Sequence, residues 1–257
     1  MYENVVQISK KVQTVSTLKN WLIEWLPEER KNLQWATLSS FVILLVQDLL
    51  KISNDEVQSI LILDAENTNV PMYMKEQQLI RLSVDNTSYW CQVIYQLSHE
   101  LCHMYIQKAN PTTEYLIWFE ETLCEAFSCL VLDECSRKWK ECKLSEVNPR
   151  YGNSIKSYLS DLLRKKSGNE LSKCRTIEDL KKINGESENR RHERISERNL
   201  VYNAMRKHIN DLPIILTYRK YILPPDNLLI DFPEWKLSYP DNKFLAEIEI
   251  IQPEILN

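Results

Sequence analysis

Glycine is scarce in this chain, with three among 257 residues. The scarcity leaves little room for glycine-rich phosphate loops or tight hairpins, and it favours a helix-dominated fold. Long hydrophobic runs are also missing: the longest unbroken one, Phe41 to Val46, is far too short to span a bilayer. Nor is there an excess of positive charge. With a formal net charge of -4 and a pI of about 5.7, the chain as a whole lacks the field that draws nucleic acid or anionic lipid, and neither partner is expected. Its first residues, MYENVVQISKK, carry charge but no apolar core followed by a cleavage site, unlike a signal peptide. Seven cysteines at no framework spacing then imply reduced thiols and a cytosolic location, a pattern that signal-independent export would share.

What is present is an ordinary globular composition, 44% hydrophobic and 26% charged, in a chain long enough to bury a real core. Apolar residues from Val15 through Leu18, Trp21, Leu22, Trp25 and Leu26 fall at helical spacing up to Pro27, which predicts an amphipathic helix. A second helix is predicted from about Glu28 to Ile52, with Leu38, Phe41, Val42, Leu45, Leu49 and Ile52 as its inner stripe. Ile60 to Leu63 has the texture of a short strand, and Gln78 to Val84 alternates like a strand with one buried face. Asp85-Asn86-Thr87-Ser88 offers helix caps before a helix from about Tyr89 to Lys108.

Asn110-Pro111 breaks that helix, and apolar spacing predicts another from Glu114 to about Cys142. Helical texture continues around Ser154 to Lys165, Ile177 to Ile183 and Glu188 to Ile209, where Arg190, Arg191, Arg194 and Arg198 suggest a solvated basic face. Beyond Pro213 the prolines cut the chain into short pieces, and Phe244 to Ile251 suits either a helix or a strand. No repeat or linker forces a boundary. The expectation is one unit of 257 residues: N-terminal helices over 1–55, a core carrying the motif helices over 56–142, and a mostly helical part over 143–257. The fold class expected is α+β, helix-dominated, with a small β-sheet.

Half of the four histidines lie in one motif, Gln96-Leu97-Ser98-His99-Glu100-Leu101-Cys102-His103. Residues four apart on a helix are turned by roughly 40° and separated by about 6 Å, so His99 and His103 project side by side. Two Zn–N bonds of about 2.0–2.1 Å suit that arrangement. Glu100, one residue on, is placed to act on a water at the metal as general base and to return the proton to a leaving amine.

A catalytic zinc takes a third protein ligand and keeps one position open. Six residues after His103 stands Ala109, and no further histidine occurs before His192, which points to a carboxylate. Glu114, Glu120, Glu121 and Glu125 are the candidates on the next helix. Glu121 lies eighteen residues after His103, and Glu125 follows it by one helical turn on the same face. That pairing favours Glu121 as ligand with Glu125 orienting a ligand histidine, whereas Glu120 has only Cys124 at the equivalent place. Cys102 and Cys124, each three residues from a ligand candidate, could approach the metal; buried free thiols are the commoner fate.

HELCH followed by a helix carrying WFEETLCE resembles the gluzincin branch of zinc metallopeptidases, with Trp118-Phe119-Glu120-Glu121 similar to the Trp-Leu-Asn-Glu segment of its aminopeptidases. The likeness covers about residues 56 to 135; the glycine-rich exopeptidase signature is absent. It implies a zincin-like core, one zinc ion held by His99, His103 and Glu121, Glu100 as base and Glu125 in support. It also implies a substrate-binding strand, here Leu79 to Val84, and a Tyr or His that donates to the transition state. Tyr115, Tyr202 and His208 are the candidates for that donor. The activity expected is a zinc-dependent endopeptidase acting on a peptide or protein. Its rivals are a noncatalytic helical interaction protein and a latent protease that cuts one partner when triggered.

Overall fold

In a computed structural model of the chain, the described residues are 7–8, 12–15, 21–24, 29–53, 58–64, 71–76, 79–84, 89–111, 114–165, 171–186 and 194–255, with the strands before residue 34 and the strand at 58–64 described as backbone. The fold is helix-dominated α+β. By spatial proximity it divides into two compact units, Met1–Met104 with Val131–Ser160 and Tyr105–Leu130 with Asp161–Asn257, where the sequence suggested one. The sequence carries no mark of this division because its boundaries fall inside three helices, Trp90–Ala109, Ile117–Arg137 and Tyr151–Arg164.

The first unit holds a six-stranded mixed sheet in the order β1-β2-β3-β4-β6-β5. Its strands are β1 (Gln7–Ile8), β2 (Val12–Val15), β3 (Trp21–Glu24), β4 (Gln58–Asp64), β5 (Met72–Met74) and β6 (Leu79–Val84). The helix expected over Val15 to Leu26 is therefore corrected to strand at Val15 and at Trp21–Glu24; the rest of that span lies outside the described residues. Trp21-Leu22-Ile23 is aromatic and β-branched, and β3 pairs antiparallel with β2 and parallel with β4, two ladders that outweigh a weak helical spacing. Parallel strands need a long crossover. Helix α1 (Glu29–Leu50) supplies it between β3 and β4, with Leu38, Phe41, Val42, Leu45 and Leu49 all buried.

α1 ends without a glycine. Lys51 takes the left-handed conformation (φ 52°) that glycine usually fills. Its N–H donates to the Asp48 carbonyl at 3.2 Å, and that of Ile52 to Gln47 at 2.9 Å, the paired bonds of a Schellman cap.

β6 alternates as its sequence suggests, with Ile80, Leu82 and Val84 buried. It is not an open edge. β4 pairs with its whole length, and β5 with Leu79 to Arg81 on the other side. Beyond β5, at Ser83, the Gln96 side chain accepts from the backbone N–H at 2.9 Å and donates to the backbone carbonyl. Leu79 to Val84 thus has its backbone groups engaged, which corrects the expectation of a strand left open for substrate.

Helix α2 (Trp90–Ala109) carries the histidine motif; the caps expected at 85–88 lie outside the described residues. A helix leaves its first N–H groups unsatisfied. The Tyr151 phenol oxygen takes one of them, accepting from Cys91 N–H at 3.2 Å, and its ring joins Trp90 and Trp139 in an aromatic cluster of the first unit.

Helix α3 (Ile117–Arg137) is followed by two 3-10 turns, Trp139–Glu141 and Lys143–Ser145, and then by α4 (Tyr151–Arg164). The second unit adds α5 (Ile177–Glu186), α6 (Ile195–Lys207), a 3-10 run over Ile209–Tyr221, α7 (Phe232–Ser238) and α8 (Lys243–Ile248). Its core gathers Phe119 with Trp118, Tyr218, Phe232 and Trp235, ring centroids 5.3 to 6.4 Å from Phe119. Among the described residues no helix is long and apolar enough to cross a membrane.

Candidate metal centre

Apolar packing sets the rotation of α2: Val93, Ile94, Leu97, Leu101 and Met104 are fully buried. His99 lies beside this stripe at 2% exposure, Glu100 is 3% exposed and His103 is half-buried. Ser98 does not compete for the histidines, because its hydroxyl donates backward to the Ile94 carbonyl at 2.7 Å. The two Nε2 atoms of His99 and His103 face each other 3.1 Å apart. Two zinc ligands at tetrahedral angles with Zn–N bonds near 2.05 Å would stand about 3.3 Å apart, so the observed spacing is close to that of a shared ion.

Glu121 of α3 completes the group. One ligand atom from each of His99, His103 and Glu121 lies within 4.8 Å of the others, and among the described residues no other three or more metal-ligating side chains converge in this way. Two imidazoles and one carboxylate are a donor set typical of catalytic zinc, with a fourth position left open. Cys102 and Cys124 are buried but outside this group, like the other five thiols.

Glu120, the neighbouring candidate, is committed elsewhere. Its carboxylate is 1% exposed and accepts from Arg219 Nε and Nη2, each at 2.9 Å, and from the Tyr218 hydroxyl. Burial and the adjacent Glu120 charge hold the Tyr218 phenol well above its ordinary pKa, so it stays a donor. Glu125, one turn beyond Glu121, lies 3.9 Å from Arg198. Glu114 is exposed at the entrance to α3 and accepts from Asn227 at 2.5 Å.

The basic face expected on α6 is corrected. Arg190 and Arg191 lie outside the described residues, but Arg194 and Arg198 are 3% and 5% exposed. Arg198 Nη2 donates to the Leu162 carbonyl at 2.8 Å and to Asn199 Oδ1 at 2.9 Å. A run of arginines shows charge and conceals partners: the Leu162 carbonyl is 36 positions away.

His208 Nε2 is 2.8 Å from Glu247, Tyr202 is buried beneath the Arg206 guanidinium, and Tyr115 is exposed with Arg219 over its ring at 5.2 Å. Sequence reasoning missed Asn110, Tyr218 and Arg219 as supports of the motif helices. The one signal for Arg219 was a charge in an otherwise apolar stretch, IILTYR. No family model, curated protein or solved structure matches the chain.

Proposed function

We propose that the chain is a zinc-dependent hydrolase, an endopeptidase with a gluzincin-like ligand set and a zincin-like core around α2 and α3. The observation that carries this reading is the convergence of His99, His103 and Glu121, with the two Nε2 atoms 3.1 Å apart. In this reading the imidazoles and the Glu121 carboxylate hold one zinc ion. When bound, the ion supplies Lewis-acid activation of water and polarisation of a carbonyl.

Glu100 takes a proton from the attacking water and returns it to the leaving amine. Its burial keeps competing solvent from the carboxylate. A peptide or protein is the substrate class, since HExxH with an adjacent acid is the constellation that serves amide hydrolysis.

The test is metal content and hydrolysis measured side by side. Wild type is expected to hold one zinc per chain and His99→Ala none, while Glu100→Gln keeps the metal and loses cleavage of casein or of cellular proteins followed by N-terminal peptide profiling. Hydrolysis by Glu100→Gln at the wild-type rate would sink the mechanism. Wild type free of stoichiometric zinc, with a melting profile indifferent to chelator, would instead favour a noncatalytic interaction protein.

A further inference from the structure

A 13-residue 3-10 run such as Ile209–Tyr221 is uncommon, because its hydrogen bonds are poorer than those of an α-helix, and tertiary contacts must hold it. Leu212, Ile214, Ile215, Tyr218 and Arg219 are buried. Polar contacts from Leu216, Tyr218 and Arg219 reach both motif helices, while Thr217 between them bonds Ile214 and Trp235. The Leu216 carbonyl accepts from Asn110 Nδ2 at 2.6 Å, and the same amide nitrogen donates to the Ile106 carbonyl at 2.9 Å, in the last turn of α2. Tyr218 donates its phenol hydrogen to Glu120, and Arg219 holds the same carboxylate by two bonds of 2.9 Å. Asn110 lies two helical turns beyond His103, and Glu120 immediately precedes Glu121.

From this placement we infer that the Leu216–Arg219 segment is a brace for the metal site, with Arg219 and Tyr218 as positioning residues acting through Glu120. The proposal rests on the zinc reading of His99, His103 and Glu121. Apolar packing sets the rotation of a helix, but a ligand position tolerates very little error about the helix axis. A carboxylate roughly 5–6 Å from that axis moves by about 2 Å when the helix turns by 20°. Metal–ligand distances tolerate about 0.2 Å. A planar guanidinium bonded twice to Glu120, with a phenol as third donor, fixes the azimuth of α3 and with it the direction in which Glu121 points. Asn110 ties the end of α2 to Leu216 of the same segment, so one segment fixes a reference for both helices that carry the proposed ligands.

The experiment loads zinc(II) and, separately, cobalt(II) into the full-length wild type, Arg219→Met, Tyr218→Phe and Glu121→Gln. It reads zinc affinity by chelator competition, the visible band of cobalt, and the thermal midpoint of the metal-free protein. Arg219→Met, which acts through Glu120 and not on a ligand directly, is expected to bind zinc about 10-fold more weakly, the low end of what losing a ligand's own outer partner costs. Its cobalt band should fall in intensity toward that of Glu121→Gln, as a site reduced to two protein ligands becomes more hydrated. Tyr218→Phe, which keeps the ring and should fold even where Arg219→Met does not, is expected to show a smaller loss in the same direction. A role confined to stability would lower the midpoint and leave affinity and cobalt spectrum unchanged; that result overturns the brace and leaves the metal reading intact. Wild type binding neither ion overturns both.

Discussion

Replacing either of two adjacent glutamates by glutamine changes one atom and one charge, yet the structure predicts opposite consequences. Glu120→Gln leaves Arg219, 7% exposed, without its carboxylate. Removing one member of a buried ion pair costs about 3–5 kcal/mol, because the remaining charge stays out of water uncompensated. For a chain of this size each kcal/mol moves the thermal midpoint by roughly 2–4 °C, so the metal-free Glu120→Gln protein should melt on the order of 10 °C below wild type. Glu121→Gln should leave the metal-free midpoint nearly unchanged. Its deficit should emerge on adding metal.

On the zinc reading, a zinc concentration one hundred times the dissociation constant should stabilise wild type by about 2.7 kcal/mol, an upward shift of roughly 5–10 °C. If loss of the third ligand weakens zinc by about 100-fold, the same zinc concentration merely equals the variant's dissociation constant. The stabilisation then falls to about 0.4 kcal/mol, or 1–2 °C. Differential scanning calorimetry of the three proteins with chelator and with buffered zinc separates the two effects. An equal zinc shift in Glu121→Gln and wild type refutes Glu121 as ligand. An unchanged metal-free midpoint in Glu120→Gln refutes the argument from burial.

Two further expectations concern stability alone. Burial pushes the Cys129 thiol up to about 12 and that of Cys142 up to about 11, and carries Cys135 well above its usual value. A thiol whose folded pKa is raised stabilises fully below the unfolded pKa, and that contribution is lost as pH climbs toward the folded one. From pH 9 to pH 10 the unfolded chain goes from about half to mostly deprotonated at these thiols while the folded chain keeps most of its protons, a loss of about 1 kcal/mol per thiol and about 3 kcal/mol for the three. Urea midpoints under reductant should therefore fall steeply between pH 9 and 10, and a flat profile would show the thiols to be accessible to solvent. Lys51→Gly removes a left-handed lysine from the cap of α1 and should raise stability by about 0.5–1 kcal/mol, read as an increased urea midpoint; a decrease would mean that the greater unfolded-state entropy of glycine outweighs the relief.

The parts of the fold legible in the sequence are those where one periodicity coincides with burial. α1, α2 and β6 were readable because Leu38 to Leu49, Val93 to Met104 and Ile80 to Val84 repeat with the period of their own element and bury that same face. Trp21 to Glu24 was misread because its conformation is settled by β2 and β4, partners that no local pattern records. The run over Ile209–Tyr221 and helix α7 escaped because a proline sits inside each, Pro213 and Pro233, and tertiary contacts fix their shape, whereas α8 falls where Phe244 to Ile251 suited either a helix or a strand. At the site, His99 and His103 are set together by spacing alone. Glu121 could be favoured over Glu120 from helix geometry, yet the stronger reason is that Glu120 is occupied by residues 98 and 99 positions away.

That long-range occupation explains why four successive residues of α3 cannot exchange roles. Consecutive helix positions are about 100° apart, so Trp118, Phe119, Glu120 and Glu121 point in four directions. Trp118 donates its indole N–H to the Leu228 carbonyl at 3.0 Å, and its backbone N–H to Asn184 Oδ1 at 3.0 Å. Phe119 fills the aromatic core, Glu120 meets Arg219 and Tyr218, and Glu121 converges with the histidines. Rotating the helix to improve any one of these contacts would break the other three, and the buried Glu120 pair has the most to lose because a misdirected charge there finds no water. On the zinc reading, the direction of Glu121 is set by side chains outside the His99–His103–Glu121 group, and a single inserted residue before Glu120 would turn the Glu121 carboxylate about 100° away without altering its chemistry.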